Sequence, residues 1–212
     1  MKTNYLLLIF VLNVLYSVTL SGQYTFEVGG QYTISSERLH SDKSSDLFEQ
    51  GIFHSFGASA KLLHRSGWFF KGELNYQNGG TKLRFPETTT DMPEGTDEFS
   101  EASWRYSAVG LLFNTGYYLL NKEKIKIGPA LGINTHLVTH QEQEVAGQAF
   151  SDGSIYEGVL FFFHTSLDIR ISLSEKLNLT IAPFWQTQLN SNAQEWKQRA
   201  FGGALGVSYL LN

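Results

Sequence analysis

From Gln23 onward, hydrophobic and polar residues alternate with a period of two, the spacing of a strand whose two faces meet different surroundings. In 23–35, Tyr24, Phe26, Val28, Tyr32 and Ile34 share one face, and Gln23, Thr25, Glu27, Gln31 and Thr33 share the other. The alternation resumes at Trp68 with Phe70, Leu74 and Tyr76, and at Ile125 with Ile127, Leu131, Ile133 and Leu137. It continues from Val159 through Phe161, Phe163, Leu167, Ile169 and Ile171, and then across Leu177–Trp185. The closing stretch sets Phe201, Leu205, Val207, Tyr209 and Leu211 against Ala200, Gly202, Ala204, Gly206 and Ser208. Phe53–Leu63 and Tyr106–Leu120 alternate less cleanly; in the latter, Val109, Leu111, Phe113, Tyr117 and Leu119 form the apolar face, leaving Gly110, Asn114 and Gly116 opposite. Eight strands are predicted.

The connectors between them alternate in length. Ser36–Gly51, Asn78–Arg105, Gln141–Gly158 and Gln188–Gln198 are long, whereas His64–Gly67, Asn121–Lys124 and Ser174–Lys176 are short. An up-and-down transmembrane barrel has this alternation, with tight periplasmic turns and longer external loops. A secreted barrel with an apolar interior has the same period but needs a charged, solvated exterior. Here the polar face consists of Gly128, Ala130, Gly132 and Asn134 in one strand and of Ala200 to Ser208 in another. Such small residues suit a cramped eight-stranded interior. Tyr24, Trp68, Tyr117 and Tyr209 fall at one end of the apolar face, and Tyr32, Phe56, Tyr76, Phe161, Trp185 and Phe201 at the other, as expected of two interfacial girdles. The fold class is therefore all-β: an eight-stranded antiparallel up-and-down transmembrane β-barrel.

The first 22 residues read as an address. Lys2 precedes the apolar run Tyr5–Tyr16, broken only by Asn13, and the small residues Ser17, Ser21 and Gly22 follow. This run falls short of the ~20 apolar residues of a spanning helix. A cleavable signal peptide over 1–22 and a barrel domain over 23–212 are expected. Composition agrees with a membrane barrel: of 212 residues, 17% are charged and 14% aromatic, with 20 glycines. The absence of cysteine excludes disulfides, thiolate metal sites and a Cys nucleophile. A net charge of −4 argues against a nucleic-acid partner.

The segments QYTFEVGGQY, GLLFNTGYYLLNKEKIKIGPALGIN and AFGGALGVSYLL resemble the small outer-membrane β-barrel family common in Bacteroidota, porin-like domains of OmpA/OmpX-type architecture. The resemblance covers the chain from Gln23 to its end and implies a Gram-negative outer-membrane location. It also implies insertion by the barrel-insertion machinery. Many such barrels end in an aromatic residue; this chain ends Leu210-Leu211-Asn212, with Tyr209 nearby.

The inward face carries Glu27, Lys61, Lys71, Glu73, Lys126, Asp168 and Arg170. Charges in a narrow interior must be paired or hydrated, so these seven are expected to form a structural salt-bridge network, with Lys71 beside Glu73 and Asp168 beside Arg170. The alternative is a narrow ion or small-solute path, although open aqueous channels need about 16 strands. For catalysis, His164 and Ser166 share a strand face, with Asp168 and Glu175 following. They faintly resemble the His-x-Ser pair of outer-membrane lipid A deacylases, but Leu167 stands where that pattern has Asn, and the pair faces inward. No catalytic residues, cofactor or metal are expected. His136 and His140 have helical ligand spacing, and in a strand would lie ~13 Å apart. Pro86 and Pro93 flank an acidic loop without the spacing of an EF-hand.

The four long loops together hold 15 acidic residues and few basic ones, while Arg65, Lys122, Lys124 and Lys176 make the short turns basic. The expected function is a non-enzymatic, monomeric envelope or surface-contact barrel. Its partners would be outer-membrane lipid and lipopolysaccharide and, through the acidic loops, an external partner. A narrow channel and a lipid A-modifying hydrolase are the alternatives.

Overall fold

The computed structural model describes residues 23–40, 50–86, 99–145, 148–150, 158–190 and 197–211. The expected signal peptide and Pro93 lie outside the described residues. Eight long strands build the barrel: β1 (Tyr24–His40), β2 (Gly51–His64), β3 (Trp68–Pro86), β4 (Phe99–Tyr117), β6 (Ile125–Val145), β8 (Val159–Ser172), β9 (Leu177–Gln188) and β10 (Lys197–Leu211). Two short pieces, β5 (Leu120–Asn121) and β7 (Gln148–Phe150), pair with β6.

Each long strand pairs antiparallel with its sequence neighbour, β4 pairs with β6, and β1 pairs with β10, so the sheet closes on itself. Closure leaves no strand edge in the wall, which satisfies every ladder position without water and makes a sheet compatible with lipid. Among the described residues no helix is long and apolar enough to cross a membrane. The outward face supplies the hydrophobic surface instead: Phe56, Trp68, Phe70, Leu74, Phe113, Leu131, Ile133, Leu137, Phe201 and Leu205 all stand exposed, Phe113 at 62%. A soluble protein would bury such a band. Trp68 packs edge-on against Tyr117 at the short-turn rim, and Tyr32, Phe56 and Tyr76 lie in one cross-strand row towards the loop end. A closed sheet with an apolar exterior is the architecture of a transmembrane β-barrel.

The strands run further than the alternation alone indicated. A spanning strand needs ~9–11 residues, yet β3 and β4 have 19 each and β6 has 21. On β3 the apolar outward series ends at Tyr76, and Asn78, Gly80 and Lys82 continue the same face above it. Backbone pairing thus extends beyond the membrane into stretches that composition assigns to loops. At the other end the turns are tight; Gly67 adopts φ +104°, which closes the β2–β3 turn in a conformation that favours glycine.

A local irregularity places particular side chains. The register between β4 and β6 shifts between Ser107 and Ala108, whose partners are His140 and Val138, so Thr139 is an extra residue. His136 consequently lies buried inside while His140 is exposed beside Glu142. The two histidines face opposite sides of the wall, which adds to the separation that strand spacing gives them. After Tyr117 the ladder of β4 ends but the alternation continues, with Tyr118 inward and buried at 1% and Leu119 outward.

Candidate functional site

The interior is the only part of the barrel where charge, burial and shape converge among the described residues, and it is organised in three layers along the barrel. The layer at the short-turn end is ionic. Lys61 on β2 donates to both oxygens of Asp168 on β8, at 2.8 and 3.0 Å, and its ammonium also lies 5.1 Å from the centre of the Phe69 ring. The Tyr118 hydroxyl donates to Asp168 Oδ1 at 2.7 Å, so the carboxylate is held from β2 and from the connection after β4. Glu27 on β1 accepts from Arg170 Nε at 2.7 Å, from Asn178 Nδ2 at 3.2 Å and from Ser208 Oγ at 3.2 Å. Every one of these groups except Ser208 is buried. A buried carboxylate without such partners would cost several kcal/mol, which is why two cations and neutral donors crowd round two acids.

Glycine makes this packing possible. A Cβ on Gly116 would stand 2.5 Å from the Pro129 carbonyl oxygen and would strike the Phe69 ring. The absent side chain is the space into which Phe69 folds, against Tyr118, with ring centroids 4.7 Å apart.

The middle layer is polar and partly hollow. A small cavity is lined by Gln31, Lys71, Glu73, Asn75, Asn114, Asn134, His164, Ser166 and Gln186, among others. Lys71 bridges to Glu73 at 2.9 Å and also donates to Gln31. A smaller cavity nearer the short turns shares Gln31 and Lys71 as lining residues. The Lys71–Gln31 contact therefore stands between two hollows. The side chains of Asn75 and Asn114 lie over Gly110 and Gly132 of the neighbouring strands, where a Cβ would displace them.

The layer at the loop end is a neutral polar cluster around one carboxylate. Glu37 accepts from Gln77 Nε2 at 2.8 Å, from Ser35 Oγ and Tyr106 Oη at 3.2 Å each, and from Gln198 Nε2. Phe53 packs on Tyr106. The outward neighbours of Glu37 are Ser36 and Arg38, so this layer lies beyond the apolar band. Burial pushes the Glu37 carboxyl up to about 7, although all four hydrogen bonds favour its charged form.

The seven charged residues singled out from the sequence all belong to the lumen-facing side, with differences in partnership. Lys71 and Glu73 join as neighbours on one strand. Asp168 and Arg170 do not join each other: each reaches across the lumen, to Lys61 and Glu27 respectively. In-strand neighbours two apart point in parallel, whereas partners on opposite walls meet head-on, and a narrow barrel makes the second geometry available. Lys126 is half-buried, with its ammonium 5.9 Å from the centre of the Tyr118 ring. Glu37 and Gln198 were not distinguishable by alternation, because they sit in apparent loops, whereas Tyr106 and Tyr118 share the inner phase of the Tyr106–Leu120 stretch. The pattern of Gln, Tyr and Glu every second residue in the continued strands is the signal that would have found them.

His164 stacks on Phe184 at 5.1 Å between centroids and hydrogen-bonds to Gln186, and Ser166 lines the same cavity. Both are inside the barrel, separated by the wall from any lipid chain.

No family model matches the chain, and no curated protein sequence matches it. Among solved structures, the chain is similar to Ail, the attachment invasion locus protein of Yersinia pestis (10% identity, 87% of this chain and 98% of the other, TM-score 0.43). It is similar to the outer membrane protein OprG of Pseudomonas aeruginosa (11%, 90% and 97%, TM-score 0.47) and to neisserial surface protein A (11%, 87% and 96%, TM-score 0.44).

Proposed function

We propose that this barrel is a non-enzymatic envelope protein whose lumen is closed and whose contacts are made from its external end. The observation that carries this reading is the pair of cross-lumen locks, Lys61–Asp168 and Arg170–Glu27, backed by Phe69 and Tyr118. Ions crossing the barrel would have to break both, and each freed charge would be left in a space of low polarity. The Glu37 cluster with Phe53 and Tyr106 closes the other end. Outward from that plug, the acidic loop residues are the part of the chain available to an external partner. Against a hydrolase acting on lipid A stands the inward position of His164 and Ser166. Recordings in planar bilayers test the reading: no discrete conductance is expected from the wild-type barrel at ordinary voltages. Regular single-channel steps would overturn it.

One observation favours a second reading, a narrow gated path. Two hollows flank the Lys71–Gln31 contact, and movement of the lysine towards Glu73 alone would join them. On that reading Lys71→Ala raises conductance, whereas under the closed-lumen reading it leaves the barrel silent.

A further inference from the structure

The rim built from the short turns carries a charge opposite in sign to the chain as a whole. The 212 residues sum to −4. On this rim Arg65, Lys122, Lys124 and Lys176 stand against only Glu123 and Glu175, and all six are exposed. Among the described residues no ion pair engages any of the four cations.

Backbone hydrogen bonds fix the three turns relative to one another. Tyr118 N donates to the Gly67 carbonyl at 2.9 Å, tying the connection after β4 to the β2–β3 turn. Ser172 N donates to the Lys124 carbonyl at 2.9 Å, and Leu210 N to the Lys176 carbonyl at 2.8 Å. The cations therefore stand along one arc, with only their side-chain torsions left to adjust. Just inside the arc, on the lipid face, Trp68 packs against Tyr117 at 5.2 Å, and the Lys176 ammonium lies 5.9 Å from the centre of the Tyr209 ring. Aromatic rings at a barrel rim sit at headgroup level, so cations beside them lie among lipid phosphates. The turns are too short to carry them further. Three residues, 65–67, separate β2 from β3, and four, 173–176, separate β8 from β9.

We propose that this rim is a binding surface for the headgroups of anionic phospholipid in the periplasmic leaflet. Its surplus of two cations selects headgroups of net negative charge over zwitterionic ones. The cell wall lies beyond the headgroup layer, out of reach of turns this tight. The inference does not depend on whether the lumen conducts.

The test titrates the folded barrel, in neutral-detergent micelles at low salt, with short-chain phosphatidylglycerol and with phosphatidylcholine of the same acyl chains. The wild type is expected to bind phosphatidylglycerol about tenfold more tightly, and the preference to shrink as sodium chloride is raised. Lys122→Gln/Lys124→Gln, which brings the rim to neutrality, is expected to abolish the preference. Glu123→Gln/Glu175→Gln, which doubles the surplus, is expected to strengthen it severalfold. Lys197→Gln/Arg199→Gln removes as much charge from the opposite rim and is expected to leave it intact. Gel mobility before and after boiling verifies that each variant is folded. Should the Lys122/Lys124 variant fail to fold, Arg65→Gln/Lys176→Gln removes two cations from the same rim and takes its place. Equal affinity of the wild type for the two lipids would overturn the proposal, and so would an undiminished preference in the folded rim variant. Equal loss in the opposite-rim variant would reduce the effect to net charge and overturn it. Retention on purified peptidoglycan without any lipid preference, lost in the rim variant, would assign the surface to the cell wall and overturn the lipid assignment.

Discussion

Lys61 and Asp168 are 107 residues apart in the chain and meet inside the barrel with Nζ 2.8 Å from Oδ2, both nearly excluded from solvent. Their meeting reports the whole architecture at once, because it requires β2 and β8 to lie on opposite walls of a closed sheet narrow enough for two side chains to span. Breaking the pair on one side leaves the other charge buried without its counter-ion. Lys61→Met or Asp168→Leu alone is expected to destabilise the barrel by about 3–5 kcal/mol, and the double substitution by distinctly less. Urea unfolding in lipid vesicles, followed by tryptophan fluorescence, checks this. Additive losses would show that the two side chains are not coupled.

Packing around Phe69 supplies a second expectation. Gly116→Ala puts a methyl group against the Phe69 ring and the Pro129 carbonyl, and is expected to cost about 1–3 kcal/mol. Gly203→Ala is the matched control, since nothing lies within 4 Å of a Cβ there. The same unfolding experiment should separate the two; similar midpoints would contradict the inward placement of Phe69.

The orientation of the wall is tested by charge. Phe113→Arg places a cation on the lipid face, far from either rim, and is expected to cost about 2–4 kcal/mol, whereas Ile52→Arg near the loop end should cost about 0–1 kcal/mol. The depth dependence is the discriminating result. A soluble barrel would tolerate both substitutions alike.

Glu37 predicts a dependence on pH. Its carboxyl titrates at about 7 in the folded barrel and near 4.5 when exposed, so folding favours the protonated form. The stability it contributes is complete below about 4.5 and disappears as the pH rises through 7. The loss between pH 4 and 8 is expected to reach about 3 kcal/mol at most. Glu37→Gln, which keeps the shape and removes the charge, should flatten that part of the profile. An unchanged profile would place the titration elsewhere.

Much of the fold was legible because each strand meets lipid on one side and a filled interior on the other, so the period of two carries through Trp68–Tyr76 and Phe201–Leu211 without interruption. The alternating connector lengths supplied the topology. Less legible were features where one residue departs from the period. The extra residue at Thr139 turns His136 and His140 to opposite faces. Charge pairing was half visible. Alternation put the right residues inside, but choosing Lys61 over Arg170 as the partner of Asp168 depends on which walls face each other across the lumen. Glu37 was hidden by strands that continue beyond the membrane, where composition resembles a loop while the backbone remains paired.

The central claim is that the outward apolar face meets lipid around a closed, tightly packed barrel. Electrophoretic mobility with and without boiling, on protein taken from the outer-membrane fraction, tests it most directly. The folded barrel is expected to resist detergent at room temperature and to change its migration only after heating. A chain recovered in the soluble periplasmic fraction, migrating identically before and after boiling, would contradict the account.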